Sequence, residues 1–227
     1  GSRMFLETRD RPTTEDLIRG IAVLSGNDAS VVVAEGLGGT EDAFAAMAQT
    51  RAQQIGMTQT TIANASGWPD PRHRMSMHDL GVLAQYLIEE HPTLYPYLGE
   101  REFSWNNITQ PNRVPLLAAG VGLDGGKTGH TEEAGYALVG SARQGDRRIV
   151  FVFSGLNSMQ ERVEETERII SWAFRQFVER RVLGQGQAIA NAEVWMGEAR
   201  SVPLVAARDI SVLVPALAQG DLVARVE

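Results

Sequence analysis

The spacing of apolar residues predicts that the first 90 positions are mainly helical. Residues 13–25 carry apolar side chains at helical spacing, and Thr13 followed by Asp16 is a capping-box pattern. The turn formers at Ser25-Gly26-Asn27-Asp28 then interrupt this helix. A second helix is predicted through residues 31–34, ending at Gly38-Gly39.

Two more helices are indicated before the pattern changes. The third begins at Thr40 and ends near Gly56. After a turn-rich segment, Ser76 and Asp79 repeat the capping-box spacing, and this fourth helix should end before Pro92.

From about residue 100 the pattern favours strands. Residues 136–140 alternate between apolar and small or polar positions, Gln144-Gly145-Asp146 provides a turn, and the apolar residues 149–153 form the partner strand. This arrangement predicts a β-hairpin. A long helix should then follow, capped by Ser158 with Glu161.

The character of the sequence changes again after about residue 182. Short apolar runs, such as 210–214 and 222–226, are separated by Gly and Pro. We therefore predict a main domain over residues 1–182 and a small β-rich module over residues 183–227.

Composition narrows the possible functions. The chain of 227 residues is 43% hydrophobic and 22% charged, as expected of a globular protein. A net charge of −7 argues against a nucleic-acid partner, because phosphate binding requires a basic surface. The absence of cysteine excludes disulfides and thiol catalysis, and four histidines at 73, 78, 91 and 130 lack the spacing of metal ligands.

The basic residues of the chain are almost all arginine. Of 21 lysines and arginines, 20 are arginine and one is lysine, Lys127. No run of apolar residues approaches the length of a transmembrane helix, and the start at Gly1-Ser2 shows no hydrophobic signal region.

Two short motifs and their surroundings resemble a known family. Ser25-Gly26-Asn27 and Lys127-Thr128-Gly129, the latter within Asp124–Thr131 and followed by Ala134-Gly135-Tyr136, are similar to segments of the low-molecular-weight penicillin-binding proteins. These are the serine-type D-alanyl-D-alanine carboxypeptidases of peptidase family S11. The segment from Trp105 to Arg113 also resembles the loop that precedes the Lys-Thr-Gly strand in this family, although Val114 stands where the family often has asparagine.

The resemblance implies a site on a sheet strand. Catalytic roles would fall to Ser25, Asn27 and Lys127: the lysine would assist proton traffic, the serine would relay a proton to the leaving D-alanine, and the asparagine would bind the substrate peptide. Substrate binding would be assigned to the following residues: Thr128, Gly129, His130 and Arg162. The Arg162 guanidinium would hold the terminal carboxylate of the substrate.

One catalytic motif of the family is missing from this sequence. The nucleophile normally lies in a Ser-Xaa-Xaa-Lys motif, but the only lysine is Lys127, and Asp124 stands three residues before it. We therefore expect the N-terminal segment of the family domain to be absent and the chain alone to be inactive. Three explanations stay open: a fragment of an active enzyme, a truncated gene product, or a non-catalytic cell-wall peptide-binding protein.

The resemblance implies an α/β fold of the β-lactamase/transpeptidase type, incomplete here, with an antiparallel sheet and helices, followed by part of a small β-rich domain. The reaction would remove the terminal D-alanine of peptidoglycan pentapeptides through a serine acyl-enzyme, and no metal or organic cofactor is implied. A β-lactamase or esterase on the same fold is the alternative enzyme.

Expected partners are stem peptides ending in D-Ala-D-Ala and, if the nucleophile segment is present, β-lactam antibiotics. The expected location is the periplasm, with inner-membrane association through a C-terminal anchor that this chain does not show.

Overall fold

The structure, a computed structural model, describes residues 1–218. It contains two compact units, one formed by Gly1–Ile170 and the other beginning at Ser171. The first unit contains four helices before any strand: α1 (Thr14–Ala22), α2 (Asn27–Gly38), α3 (Glu41–Gln54) and α4 (Met77–Glu90). A short 3₁₀ helix, Tyr95–Gly99, follows.

Two antiparallel sheets complete the first unit. Strands β1 (Glu102–Trp105) and β2 (Ile108–Pro111) form a hairpin. Strands β3 (Leu123–Thr131), β4 (Gly135–Gln144) and β5 (Arg147–Leu156) form a three-stranded sheet in the order β3-β4-β5. Helix α5 (Met159–Gln176) then begins in the first unit and ends in the second.

The second unit is rich in β structure. Strand β6 (Phe177–Leu183) pairs with β9 (Ile210–Pro215), and β7 (Ala188–Glu193) pairs with β8 (Ser201–Val205), both antiparallel. The predicted strand at 210–214 is confirmed by β9, whereas the apolar run at 222–226 lies outside the described residues. The domain boundary near residue 182 stays a prediction.

The helix starts follow the capping patterns of the sequence. The full capping box forms at Thr13, whose hydroxyl accepts a hydrogen bond from the Asp16 amide while the Asp16 carboxylate accepts one from the Thr13 amide. Thr40 and Ser76 likewise cap α3 and α4. The Asp79 carboxylate, however, turns inward and accepts hydrogen bonds from the Gln59 amide and the Thr60 hydroxyl, both at 2.7 Å, because its side chain is completely buried.

The boundary between the first two helices differs from the sequence prediction. Helix α1 ends at Ala22 rather than at residue 25, and α2 begins at Asn27, so that the predicted four-residue turn shifts by two residues, from 25–28 to 23–26. Ser25 adopts a left-handed conformation with φ of 56°, which an isolated residue of this type rarely adopts.

The predicted hairpin is confirmed as β4 and β5. Its turn places Gly145 at a φ of 60°, which glycine adopts without steric cost. The predicted α/β class with an antiparallel sheet and helices is confirmed.

A hydrophobic cluster lies between the helices and the β1–β2 hairpin. Its fully buried members are Met4, Val23, Leu24 and Ala29, and Phe103 and Trp105 pack against it. Trp105 therefore has a packing role. Gly20 permits the closest approach, since a Cβ there would lie 2.5 Å from the Met4 sulfur.

Asp28 fixes the N-terminal segment to the start of α2. One carboxylate oxygen accepts a hydrogen bond from the Met4 amide at 2.9 Å, and the other accepts one from the Leu6 amide at 3.1 Å. Burial opposes ionisation of Asp28, but these backbone bonds outweigh it, and the pKa of the carboxyl is lowered.

The Asp28→Ala substitution should lower the free energy of unfolding by about 2 kcal/mol, or the melting temperature by about 6 °C, because two charge-assisted bonds are lost. Since the folded-state pKa is lowered, the difference should be fully present above about pH 5 and should shrink as the pH falls through the lowered pKa.

Asp42→Ala is the matched control for thermal unfolding, because Asp42 holds the corresponding second position of α3 but is exposed. An equal loss of stability in both variants would show that helix-dipole charge, and not the bonds to Met4 and Leu6, accounts for the effect.

Candidate active site

Ser25 is held in its unusual conformation by the segments around it. The amide of Gly26 donates to the Gly20 carbonyl at 2.9 Å, and the amide of Asn27 donates to the Ser2 carbonyl at 3.0 Å. A Cβ at position 26 would lie within 3.1 Å of the Gly20 oxygen and the Met4 nitrogen. The close packing therefore requires glycine there and leaves the turn little freedom.

Lys127 reaches this turn from strand β3. Its Nζ donates to the Ser25 hydroxyl oxygen at 2.7 Å and to the Thr128 carbonyl oxygen at 2.9 Å. The two motifs are thus in direct contact, through residues that lie 102 positions apart in the sequence. A hydroxyl bonded to an amine in this way can exchange a proton with it.

The surroundings of Lys127 favour loss of its proton. Burial, together with the nearby positive charges of Arg162 and Arg113, lowers the pKa of the ammonium to about 8. No carboxylate among the described residues forms an ion pair with Lys127. Because the pKa lies below that of an exposed lysine, the unfolded chain binds more protons between the two values, and stability rises with pH there.

Glycines bring β3 close to its neighbours just before the lysine. A Cβ at Gly126 would lie 2.5 Å from the Val139 carbonyl oxygen in β4, and one at Gly125 would lie 3.0 Å from the Tyr95 hydroxyl. By contrast, a Cβ at Gly129 would meet only the Ala137 side chain, at 3.7 Å. The backbone requires glycine at 126, whereas Gly129 leaves open space beside the strand.

The remaining motif residues continue along β3. Thr128 is half-buried, and Gly129 and His130 are exposed. Within residues 1–218, β3 pairs only with β4, so that its other edge is free to accept an extended peptide.

Arg162 lies in the first turns of α5 and is 8% exposed. Its guanidinium carbon lies 5.5 Å from the ring centroid of Tyr136, and burial lowers its pKa. In the part of the chain that the structure describes, no carboxylate pairs with it, and its Nε has no hydrogen-bond partner. A buried cation without a counter-ion is suited to bind an anionic group.

Tyr136 links this arginine to the strand. It lies opposite His130 in the β3–β4 register, and the centroids of the two rings are 4.0 Å apart with a tilt of 35°. The predicted binding residues Arg162 and His130 are therefore joined through an aromatic side chain to which the sequence analysis assigned no role.

Asn27 is the first residue of α2 and lines a groove with Trp68 and Asn64. Its side chain forms no hydrogen bond with the described residues. Lys127 contacts Ser25 directly, whereas within residues 1–218 no side-chain hydrogen bond joins Asn27 to either residue.

The structure thus brings Ser25, Lys127 and Thr128 together and places Arg162 within electrostatic range of the lysine. The catalytic and binding roles given to these residues, and to Asn27, Gly129 and His130, stay predictions. Sequence reasoning missed the electrostatic contribution of Arg113 and the contact made by Tyr136. For Tyr136, the one available signal was its position directly after Ala134-Gly135, in the segment that resembles the family.

Comparison with known proteins gives two family matches. Residues 1–157 match the family described as D-alanyl-D-alanine carboxypeptidase, and residues 177–227 match the family described as penicillin-binding protein 5, C-terminal domain.

Individual relatives agree with these matches. The chain is 35% identical to the D-alanyl-D-alanine carboxypeptidase DacC of Escherichia coli K12 over 94% of its own length and 54% of the relative. It is 34% identical to DacA of Haemophilus influenzae over 100% of its own length and 58% of the relative. The chain therefore spans a little over half the length of these relatives.

A solved structure is also similar. Penicillin binding protein 5 from Haemophilus influenzae superposes with a TM-score of 0.86 at 34% identity, covering 96% of this chain and 64% of that one.

The Gly126→Ala substitution should destabilise the sheet by about 2 kcal/mol, because the added methyl group would overlap the Val139 carbonyl in β4. Gly129→Ala in the same strand should stay within about 0.5 kcal/mol of the unsubstituted chain. Chemical denaturation of the three proteins measures both differences. Equal effects at the two positions would contradict the close approach of β3 and β4 at residue 126.

Proposed function

The chain belongs to the D-alanyl-D-alanine carboxypeptidase family, and we propose that it provides the Ser25 and Lys127 part of an active site that removes the terminal D-alanine from peptidoglycan stem peptides. The observation that carries this proposal is the 2.7 Å hydrogen bond between the Lys127 amine and the Ser25 hydroxyl. The bond joins the two motifs at one point, and burial gives the amine a pKa of about 8, within reach of proton exchange near neutral pH.

In the proposed reaction, a serine hydroxyl attacks the carbonyl carbon of the penultimate D-alanine and gives up its proton to the lysine of its own Ser-Xaa-Xaa-Lys motif. The bond to the terminal D-alanine breaks, and the leaving amine takes a proton relayed through Ser25 from Lys127. Water then hydrolyses the acyl-enzyme. The attacking serine would belong to a Ser-Xaa-Xaa-Lys segment, which the sequence of this chain does not contain.

In the proposed function, Arg162 binds the terminal carboxylate of the substrate. A guanidinium can form two parallel hydrogen bonds with a carboxylate, which is the group that ends a stem peptide. Thr128 would add a hydroxyl donor, and Gly129 would leave room for the peptide along the edge of β3. The Asn27 amide would bind the retained part of the substrate, and His130 would fix the end of the strand.

A second candidate function follows from the count of lysines. Because Lys127 is the only lysine, the chain by itself is suited to bind D-Ala-D-Ala peptides without cleaving them. A β-lactamase is the less favoured alternative, since the C-terminal match is to penicillin-binding protein 5.

The proposed partners and location agree with the names of the relatives. β-Lactam antibiotics would react where the nucleophile segment is present, because these compounds also carry a carboxylate beside an activated carbonyl. The proposed location is the bacterial cell envelope, in the periplasm. Among the helices of residues 1–218, none combines the length and apolar character needed to cross a bilayer.

The carboxylate site is tested by the Arg162→Gln substitution. It should weaken binding of a peptide ending in D-Ala-D-Ala by about 10- to 100-fold, because the charge-assisted bonds to the carboxylate are lost. Binding is measured by NMR titration, with the same peptide amidated at its C-terminus as the matched ligand.

The amidated peptide should bind the unsubstituted chain and the Arg162→Gln variant equally. Arg168→Gln is the control variant, because Arg168 lies on the same helix but is exposed and paired with Glu165. Loss of affinity for both peptides in Arg162→Gln would contradict carboxylate recognition by this residue.

The nucleophile is tested by labelling with fluorescent penicillin. The 227-residue chain should form no covalent adduct, whereas a longer polypeptide with a Ser-Xaa-Xaa-Lys segment ahead of Gly1 should be labelled and should release D-alanine from a pentapeptide. An adduct on the short chain that disappears in Ser25→Ala would instead identify Ser25 as a nucleophile. Rapid turnover of penicillin by the longer polypeptide would favour the β-lactamase.

A further inference from the structure

A cluster of four polar side chains lies at the part of β3 that precedes Lys127. One of them, Asp124, stands three residues before the lysine in the sequence. Arg148 in β5 forms an ion pair with the Asp124 carboxylate at 2.7 Å and donates to the Ser141 hydroxyl at 2.5 Å. Ser141 is fully buried, and the Arg148 guanidinium carbon also lies 5.7 Å from the centroid of the Tyr95 ring. We call Tyr95, Asp124, Ser141 and Arg148 the Asp124 cluster. Three of its members, Tyr95, Asp124 and Arg148, line a cavity of about 450 Å³ that is separate from Ser25 and Lys127.

Asp124 occupies an irregular position in its strand. Leu123 pairs with Ala142 and Gly125 pairs with Ser141, so that Asp124 is an extra residue with no partner across the ladder. This is a β-bulge, a feature that changes the direction of the residues that follow it. The ion pair with Arg148 holds the extra residue from the side of β5.

The chain between the bulge and the lysine has no side chains of its own to fix it. Residues 125 and 126 are both glycine. The Tyr95 ring packs on Gly125, and the backbone at Gly99 packs against the Asp124 carbonyl, where a Cβ would lie 2.2 Å from the oxygen. Besides its pairing with β4, the backbone just before Lys127 is therefore held by Tyr95 and Asp124, two members of the Asp124 cluster.

A stabilising role alone does not account for this cluster. A partly buried ion pair contributes little net stability, because the cost of removing both charges from water offsets their attraction. One oxygen of the Asp124 carboxylate is buried and has no hydrogen-bond partner within residues 1–218, which adds to that cost. An arrangement that is costly and geometrically specific is expected where position matters more than stability.

We propose that Asp124 and Arg148 are positioning residues, which fix the bulge of β3 and thereby hold the Lys127 amine at the Ser25 hydroxyl. The inference takes its catalytic meaning from the proposed function, but the positioning itself concerns only the geometry of this chain. Asp124 and Arg148 need not touch the substrate.

The single lysine makes the position of Lys127 directly measurable. A chain labelled with ¹³C at the lysine ε-carbon gives one lysine signal by NMR, and the midpoint of its pH titration reports the surroundings of the Lys127 amine. In the unsubstituted chain this midpoint should lie near 8, because the amine is buried and faces the charges of Arg162 and Arg113.

The Asp124→Asn substitution distinguishes a positioning role of Asp124 from a purely electrostatic one, because the two roles shift the Lys127 titration midpoint in opposite directions. If the cluster holds Lys127 in its buried position, the variant releases the amine toward water, and the midpoint should rise by about one pH unit. If Asp124 acts only through its charge, removing a negative charge and leaving Arg148 uncompensated should lower the midpoint.

Ser141→Ala is the second variant, because it breaks the cluster without changing any charge. The midpoint of the Lys127 titration should also rise in this variant, by about half a pH unit. If Asp124→Asn does not fold, the Ser141→Ala result by itself tests the positioning role. Glu165→Gln is the matched control, since it removes a carboxylate paired with an arginine on α5, and its midpoint should equal that of the unsubstituted chain.

An unchanged or lowered midpoint in a folded variant would overturn the proposal, and so would an equal rise in Glu165→Gln. The measurement contains no substrate, so that its outcome is independent of peptide binding and penicillin labelling. A chain with the expected titrations but without affinity for D-Ala-D-Ala peptides would keep the positioning role and lose the proposed function.

Discussion

The hydrogen bond from the Lys127 amine to the Ser25 hydroxyl joins residues 102 positions apart, and the geometry of the candidate site depends on it. A buried ammonium needs protein oxygens in place of water, and here it has two, the Ser25 hydroxyl and the Thr128 carbonyl. Both must be placed within a few tenths of an ångström. The left-handed turn at Ser25 satisfies this need on one side, and strand β3 satisfies it on the other.

Local patterns in the sequence predicted the helices and the hairpin well, since capping and alternation depend on near neighbours. The capping box at Thr13 and the turn at Gly145 are examples. The same patterns misplaced the end of α1, because the turn that contains Ser25 depends on contacts of the next residue, Gly26, with Gly20 and Met4. Asp79 shows the same limit: its spacing predicted a cap, but burial redirects its carboxylate to Gln59 and Thr60.

The sequence allowed the residues of the candidate site to be predicted, from their types and from the resemblance, but not the contacts between them. Lys127, Ser25 and Arg162 were identified before the structure, but their contacts were not, since contact between distant segments leaves no trace in local spacing. The bulge at Asp124 illustrates the point, because one extra residue in a strand is visible only when the partner strand is aligned beside it. Tyr95, which contacts β3, had no pattern that distinguished it from a core aromatic residue, and Tyr136, which contacts Arg162, was marked only by its place in the Ala134-Gly135-Tyr136 motif.

The different acid–base properties of arginine and lysine explain why this site uses one of each. A guanidinium stays charged even when it is buried, so that Arg162 can hold an anion but cannot exchange protons near neutral pH. An ammonium can lose its proton when burial lowers its pKa, as it does for Lys127. Arginine therefore serves wherever this chain needs only a permanent charge, including the pair of Arg148 with Asp124. The position at which the proposed reaction moves a proton is occupied by Lys127, the only lysine of the chain.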